Sequence, residues 1–178
     1  MIYNVAQLLK SPVGTSMSFE LDDEDHLQLT QDDLTQAGPV EGHVRLHHTN
    51  QGIFVDGTAS VPVDLECTRC LKHFTYTAAF LLREQFYPTI DVVTGVPLPA
   101  PDDELAFPID RHHLLDLREA IRQNLVLALP INAICREDCA GLCPKCGHDL
   151  NEGPCDCVEE ESDDRLSPLR DLLKQLEG

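Results

Sequence analysis

All eight cysteines of the chain lie in close pairs, and this spacing is the feature best suited to chemistry. Two pairs have the spacing C-x-x-C, one has C-x-x-x-C and one has C-x-C. Thiolates this close in sequence can converge on one cation, and tetrahedral zinc takes four of them. The sequence therefore predicts roughly one to two zinc ions per chain. The eight cysteines suit two closed four-thiolate sites, built from Cys67, Cys70, Cys135, Cys139, Cys143, Cys146, Cys155 and Cys157.

The run CPKCG at residues 143–147 has the form of a zinc knuckle. Its proline stiffens the turn, and its glycine lets backbone N–H groups face the sulfurs. Cys155 and Cys157 are expected to close this site. The other four cysteines would then form a second site, which joins residues 67–70 to residues 135–139. Metal in that site would close a long loop and so add to stability.

Two alternatives to this partition stay open. The four cysteines between 135 and 146 could hold one ion by themselves, and His73 or His148 could replace a thiol. Both C-x-x-C pairs also fit a dithiol oxidoreductase, in which Arg69 or Lys145 would favour a thiolate. A thioredoxin-like dithiol, however, lies in a βαβ unit, and neither pair is predicted to do so. Because the chain also lacks the common nucleotide-binding and hydrolase motifs, we predict a non-enzymatic protein.

The charge balance argues against a general affinity for nucleic acid. The 178 residues include 13 Lys and Arg against 31 Asp and Glu, a net charge of −18. This excess repels phosphate backbones and favours basic proteins as partners, although it could serve solubility alone. The chain shows neither a signal-peptide pattern nor a run near the ~20 apolar residues of a membrane span. We therefore expect a cytoplasmic protein with reduced thiols and no membrane partner; a secreted disulfide scaffold is the less favoured alternative.

Period-2 alternation of apolar residues predicts an antiparallel sheet. One strand is predicted over residues 17–21, and the pattern over 43–86 predicts a meander of long strands with short turns. This layout places residues 67–70 at a hairpin tip, while Pro62 indicates an edge position or a bulge. The proline-rich residues 87–108 are predicted to form a long surface loop.

Apolar residues at helical spacing predict a short helix over residues 2–9 and one main helix over 114–125, packed on the sheet. Ser167, a favourable N-cap, begins a predicted short terminal helix. The fold class is therefore α+β: an antiparallel sheet with one main packed helix, a cysteine-rich zinc module and a terminal helix. We divide the chain into an α+β core (1–130), a cysteine-rich zinc module (131–158) and an acidic linker with the C-terminal helix (159–178).

Several segments together resemble the YceD family, also called large ribosomal RNA subunit accumulation proteins. The similarity lies in VPVDLECTRCLKH at 61–73, in the helix-to-proline run LVLALP at 125–130, and in the cysteine-rich run at 135–157 with GLCPKCG and NEGPCDC. It extends to the leucine-rich C-terminal residues and so covers most of the chain. The resemblance implies a non-enzymatic role in large-subunit rRNA accumulation and ribosome assembly.

The expected partner is the precursor of the large ribosomal subunit. The acidic charge favours contact through basic ribosomal proteins or assembly factors. RNA contact, where it occurs, is expected from a local basic patch of Arg69, Lys72 and Lys145. A zinc-ribbon-like nucleic-acid-binding module is the alternative to this protein-based interpretation.

Overall fold

One sheet organises the chain. The computed structural model describes residues 1–23, 27, 29, 32, 34–99, 101, 106–157 and 172, and within these residues eight strands and two helices are formed. In chain order they are β1 (Ile2–Asn4), α1 (Ala6–Lys10), β2 (Ser16–Asp23), β3 (Thr35–Gln36), β4 (Val40–Thr49), β5 (Gly52–Glu66), β6 (His73–Pro88), β7 (Phe107–Ile109), β8 (Leu114–Asp116) and α2 (Arg118–Ala128). The strand order is β1-β8-β7-β6-β5-β4-β2, and β3 pairs with β5.

The long central strands follow the alternation in the sequence. β4, β5 and β6 pair in antiparallel register, so that Arg45 lies opposite Asp56, and Asp56 opposite Arg83. Buried and more exposed side chains largely alternate along these strands, which places one face of the sheet in the main core. The predicted meander is confirmed here, and the strand predicted over 17–21 lies within β2 at the edge beside β4.

Two glycines allow close approach between β4 and β5. A Cβ atom on Gly42 would overlap the carbonyl oxygen of Thr58, and one on Gly57 would overlap the carbonyl oxygen of His43. The sheet curls, and its two edges come together at the rings of Tyr3 on β1 and Phe19 on β2, whose centroids are 4.5 Å apart. The main core combines buried residues of the long strands with Leu8 of α1 and Ile121 of α2.

The main helix begins later than the sequence pattern indicates. Leu114 belongs to β8, which pairs with β1, and Leu117 is the N-cap residue of α2. Spacing alone did not separate the two elements, because Leu114 and Leu117 fit a helical stripe equally well. α2 packs against β6, where the side-chain amide of Asn124 donates to the Glu84 carboxylate at 2.8 Å. Its buried residues are Ala120, Ile121 and Leu125.

The predicted helix over residues 2–9 is divided into a strand and a shorter helix. β1 pairs antiparallel with β8, and the Oδ1 atom of Asn4 then accepts from the backbone N–H of Ala6 at 3.1 Å, where α1 begins. Leu8 of α1 is buried in the main core. The apolar spacing therefore predicts α1 correctly. It cannot predict β1, because the partner of β1 is β8, more than 100 residues away in the chain.

The region predicted as a loop over residues 87–108 also contains sheet structure. β6 continues to Pro88, and β7 pairs with it in parallel, so the sheet is mixed rather than wholly antiparallel. Stacked rings of Phe86 and Phe107, with centroids 5.2 Å apart, accompany this pairing. Three residues of β7 are too few to give a periodic signal, which explains why the sequence did not predict it.

Pro62 occupies a local edge within a central strand. The pairing of β5 with β4 ends at Ser60, and its pairing with β3 begins at Val63. Between them, the carbonyl oxygen of Pro62 accepts from the backbone N–H of Ala37 at 2.8 Å. Because the N–H and C=O of one strand residue point to the same side, the N–H that proline lacks faces this gap rather than β6.

The predicted C-terminal helix and the acidic linker before it lie outside the described residues, apart from Leu172, which is helical and exposed. Within the part of the chain that is described, neither helix is long and apolar enough to span a bilayer. The proposed domain limits stay a prediction.

Candidate metal centre

The eight cysteine sulfurs gather into two groups of four. Within each group the Sγ atoms all lie within 4.8 Å of one another, and all eight thiols are free. His73 and His148, the alternative ligands, belong to neither group. The first tetrad is Cys67, Cys70, Cys135 and Cys139, and the second tetrad is Cys143, Cys146, Cys155 and Cys157.

The sulfur spacing in the first tetrad suits a metal rather than disulfides. The Sγ atoms of Cys67 and Cys139 are 3.9 Å apart, and those of Cys70 and Cys135 are 3.7 Å apart. Four sulfurs bound tetrahedrally at about 2.3 Å from zinc stand about 3.8 Å from one another, whereas disulfide sulfurs are about 2.05 Å apart. The four thiols therefore fit a zinc tetrathiolate.

The first knuckle, residues 67–72, is the turn between β5 and β6. The backbone N–H of Cys67 donates to the carbonyl oxygen of Lys72 at 2.9 Å, and the N–H of Leu71 donates to the carbonyl oxygen of Cys67 at 2.9 Å. Leu71 adopts a left-handed backbone with φ 57°. The turn thereby directs its two cysteine side chains into one site at the tip of the hairpin, as the sequence predicted.

The second knuckle, residues 143–148, repeats this hydrogen-bond pattern. The N–H of Cys143 donates to the carbonyl oxygen of His148 at 2.8 Å, and the N–H of Gly147 donates to that of Cys143 at 2.9 Å. Gly147 has φ 73° and stands where Leu71 stands in the first knuckle. The knuckle form is recognisable from sequence only here, because glycine is the usual residue for a left-handed position and leucine is not.

Hydrogen bonds and apolar contacts hold the two halves of the first tetrad together. The backbone N–H and Oγ1 of Thr68 both donate to the carbonyl oxygen of Ala133, at 2.8 and 3.1 Å. Arg69 donates from Nη1 to the carbonyl oxygen of Cys139 at 2.9 Å. A second apolar cluster surrounds the cysteines and includes Phe74, Ile134 and Leu142. The first tetrad is therefore supported by the sheet and by its own small core.

Direct contacts also join the second knuckle region to the first. The backbone N–H of Leu142 donates to the carbonyl oxygen of Arg69 at 3.0 Å. The Nζ atom of Lys72 pairs with the carboxylates of Asp149 at 2.6 Å and Glu152 at 3.1 Å. The two candidate sites thus share one framework, although each has its own four thiols.

The thiols of the first tetrad have opposed acidities. Burial raises the pKa of Cys67, but backbone N–H groups of Cys135, Cys70 and Arg69 outweigh this effect and lower the pKa to about 6. Burial, followed by the nearby Cys67 thiol, raises the pKa of Cys135 to about 12. The Cys67 thiol therefore loses its proton easily, whereas the Cys135 thiol keeps its proton. A bound dication would stabilise the thiolate form of all four cysteines.

The second tetrad shows the same division. Backbone N–H groups of Cys146 and Lys145 lower the pKa of Cys143 to about 6. The Cys146 side chain, and then burial, raise the pKa of Cys157 to about 12. Acidic thiols also suit redox chemistry, but in both knuckles the acidic cysteine is packed among three further thiols. This arrangement fits a closed metal site better than a dithiol that must face a substrate.

The basic side chains predicted to contact nucleic acid have structural partners. Arg69 binds the Cys139 carbonyl oxygen, and the pKa of Lys72 is raised by its hydrogen bonds with Asp149 and Glu152. Lys145 is exposed on the second knuckle. Arg69, Lys72 and Lys145 all lie on the two knuckles. The ammonium group of Lys72 is paired with carboxylates of the protein itself.

Asn151 contacts both halves of this region, and its sequence position does not predict this role. Its Nδ2 atom donates to the sulfur of Cys139 at 3.6 Å, and its Oδ1 atom accepts from the N–H of Ala140 at 2.9 Å. Asn151 begins the turn-forming run NEGP. Nothing in that pattern indicates a contact with Cys139, which belongs to the first tetrad.

Comparison with known proteins identifies the family. The model of the YceD family, described as large ribosomal RNA subunit accumulation protein YceD, matches residues 55–173, more than half of the chain. The chain belongs to the YceD family. The matched segment contains both tetrads, most of β5, and all of β6 and α2, so the cysteines of the candidate centre in this YceD-family chain all lie within the shared region.

Individual relatives agree with this assignment. An uncharacterised protein of Mycobacterium tuberculosis is 30% identical over 178 residues, which cover 97% of this chain and 81% of the relative. An Arabidopsis thaliana protein named large ribosomal RNA subunit accumulation protein YCED homolog 1, chloroplastic, is 28% identical over 175 residues, covering 85% of this YceD-family chain and 54% of the relative. No solved structure matches the chain.

Proposed function

We propose that this protein is a non-enzymatic factor that supports large-subunit ribosomal RNA accumulation and ribosome assembly, with two structural zinc ions held by its eight cysteines. The family's described role supports the ribosomal part of the proposal. The observation that carries the zinc part is the gathering of all eight sulfurs into two tetrads. The ligands would be Cys67, Cys70, Cys135 and Cys139 for one ion, and Cys143, Cys146, Cys155 and Cys157 for the other.

The composition of each tetrad favours a structural role for zinc. A catalytic zinc ion keeps a position open for water or substrate beside three protein ligands. Here each group offers four thiols, which would complete a tetrahedron and leave no such position. Zinc bound in this way would supply folding energy to residues 133–157, which contain no helix and no named strand.

Metal analysis tests the zinc part directly. Protein purified without added metal should contain about two zinc ions per chain, by the count of four thiolates for each ion. Cys67→Ser with Cys70→Ser, and Cys143→Ser with Cys146→Ser, should each remove about one ion. Ser60→Ala, in the middle of β5 and away from the sulfurs, is the matched control and should retain both. A metal-free wild-type protein with its cysteines in disulfides would contradict the proposal.

We further propose that contact with the precursor of the large subunit is made mainly through basic ribosomal proteins or basic assembly factors. The net charge of −18 supports this, because such a chain attracts Lys- and Arg-rich surfaces and is repelled by phosphate. RNA contact would be restricted to the basic residues of the knuckles, Arg69, Lys72 and Lys145. A cytoplasmic, reducing compartment suits this proposal, since it keeps thiols available for metal.

Two measurements test the ribosomal role. Deleting the gene in its host should lower large-subunit rRNA relative to small-subunit rRNA, and the wild-type chain should restore it. In vitro, the protein should bind protein-containing precursor particles more tightly than naked large-subunit rRNA, with an affinity that falls as salt rises. Tight binding to naked rRNA that disappears in Arg69→Glu and Lys145→Glu variants would instead favour a nucleic-acid-binding module. Insulin reduction by the zinc-free protein would favour the dithiol oxidoreductase.

A further inference from the structure

A hydrogen-bond chain runs from the hairpin to a sulfur of the first tetrad through the loop of the second. Lys72 pairs with Asp149, the Oδ1 atom of Asp149 accepts from Nδ2 of Asn151 at 2.6 Å, and the same Nδ2 donates to Sγ of Cys139 at 3.6 Å. Asp149 and Asn151 lie between Cys146 and Cys155, which belong to the second tetrad. A side chain placed by one tetrad thus contacts a ligand of the other.

We propose that the two tetrads bind metal as a coupled pair, in which metal in the second tetrad holds Asn151 against Cys139 and so raises the metal affinity of the first. This inference rests on the two-site proposal above and adds a positioning role for Asn151. By thermodynamic reciprocity, metal in the first tetrad raises the affinity of the second by the same factor.

The orientation of the Asn151 amide follows from its neighbours. Its Oδ1 atom accepts from the backbone N–H of Ala140 at 2.9 Å and from Nη2 of Arg136 at 2.7 Å. Because two donors face Oδ1, the NH₂ group must point the other way, toward Cys139. An N–H donor at a thiolate offsets part of the charge that builds up when four thiolates surround one dication, and it stabilises the metal-bound form.

The position of Asn151 depends on closure of the second tetrad. Residues 147–154 form turns and contain no helix and no strand of the sheet. Their one β-bridge pairs Asp149 with Leu142. The segment makes individual backbone hydrogen bonds, such as that from the N–H of Leu150 to the carbonyl oxygen of Gly141 at 2.9 Å, but it lacks the regular pairing of a strand or helix that would keep its backbone in place. Metal bound by Cys143, Cys146, Cys155 and Cys157 would tie both ends of the loop and so fix the residue between them.

Asn151 is an outer hydrogen-bond partner of Cys139, which is a proposed metal ligand. Substitution of such partners typically lowers metal affinity by about 10–100-fold. We therefore expect Asn151→Ala to reduce the affinity of the first tetrad by about tenfold or more, while both tetrads keep all their thiols. Asn132→Ala is the matched control, because Asn132 is exposed in the same region and makes no hydrogen bond with the described residues.

A double-mutant cycle separates coupling from an ordinary structural effect. Affinity of the first tetrad is measured by chelator competition with Co²⁺, whose visible absorption reports tetrahedral thiolate coordination, in four full-length chains. These are the wild type, Asn151→Ala, Cys143→Ser with Cys146→Ser, and the triple variant. Asn151→Ala should weaken the first tetrad in the wild-type background and have almost no effect where the second tetrad is already disabled.

Each result of the double-mutant cycle either supports or refutes the coupling. An equal loss in both backgrounds, or no loss in either, would overturn the coupling. Native mass spectrometry gives an independent readout: in the wild type, positive coupling lowers the one-metal species relative to that expected from the affinities of the two single-tetrad variants. Two ions bound independently would refute this inference and leave the proposed zinc sites intact, whereas failure of the wild type to bind metal would refute those sites.

Discussion

The two knuckles have the same hydrogen-bond pattern and very different surroundings. The first closes a hairpin of two strands of 15 and 16 residues, and three of its tetrad's four cysteines are buried. The second is held by turns, and Cys146 in it is exposed. The sheet therefore fixes the turn of the first knuckle, whereas no sheet fixes the same turn in the second knuckle. If the two tetrads bind metal, we therefore expect them to differ in how far they depend on it, because only the first turn is fixed by a sheet.

Metal removal should affect the two knuckles most differently. A strong chelator should leave β5 and β6 protected from hydrogen exchange, because their pairing and apolar face do not involve the cysteines. The second knuckle should lose its protection, since structural zinc supplies on the order of 10 kcal/mol in small zinc-dependent folds. Hydrogen exchange followed by mass spectrometry measures both regions in one sample. Equal persistence of protection in both would show that the second knuckle does not need metal.

The left-handed residue of each knuckle gives a smaller, site-specific test. Gly147→Ala should weaken the second tetrad by about 1–2 kcal/mol, or roughly tenfold in metal affinity, because an L-residue at φ 73° is strained. A Cβ atom there meets nothing within 4 Å, so the cost is that of the backbone alone. Gly95→Ala is the matched control, with φ 70° and the same open space but no cysteine nearby. Equal metal affinity in both variants would contradict the assignment.

The reverse change in the first knuckle should have a smaller effect. Leu71→Gly removes the strain of a leucine at φ 57° and loses a side chain that is 55% exposed. The relief is offset by the greater conformational entropy of glycine in the unfolded chain, about 0.5–1 kcal/mol. The unfolding free energy should therefore change by less than about 1 kcal/mol. Thermal or urea unfolding measures it, and a loss of several kcal/mol would show that Leu71 has a packing role.

Lys72→Gln should also have a small effect on stability. Lys72 and Glu152 are largely exposed, although Asp149 is not, and ion pairs in such settings contribute up to about 1 kcal/mol. The loss should shrink as salt is added, because screening weakens the wild-type pair. Urea unfolding at low and high salt measures both quantities, and a loss that does not depend on salt would indicate a packing contribution from the lysine stem.

Sequence periodicity predicted those parts of the fold that repeat a pattern over many residues. The long strands β4, β5 and β6 have such a pattern, and so has the buried stripe of α2. β1, β7 and β8 have three residues each, and their pairing is decided by partners far away in the chain. Short strands of this kind give too few alternations to be recognised, so the spacing of Leu114 predicts a helix where the structure has β8.

The cysteine pairs were informative for a different reason. Each pair must act as a unit, so few groupings of four pairs were possible, and the grouping seen here was one of them. The supporting contacts were not predictable. Asn151 reaches Cys139, and Lys72 reaches Asp149, only after the hairpin and the loop have been brought together by the fold. Nothing in the spacing of a single polar residue indicates such a contact.

The long hairpin also has a consequence for the order of events during synthesis. Cys67 and Cys70 leave the ribosome about 65 residues before Cys135, which at 5–20 residues per second is an interval of about 3–13 s. Throughout that interval the hairpin presents two thiols whose partners do not yet exist. The four cysteines of the second tetrad, in contrast, emerge within 15 residues of one another, between positions 143 and 157. Closure of the first tetrad must therefore await synthesis of α2 and the residues after it, so a metal ion held by all four of these thiols could be bound only after residues 1–139 have been made.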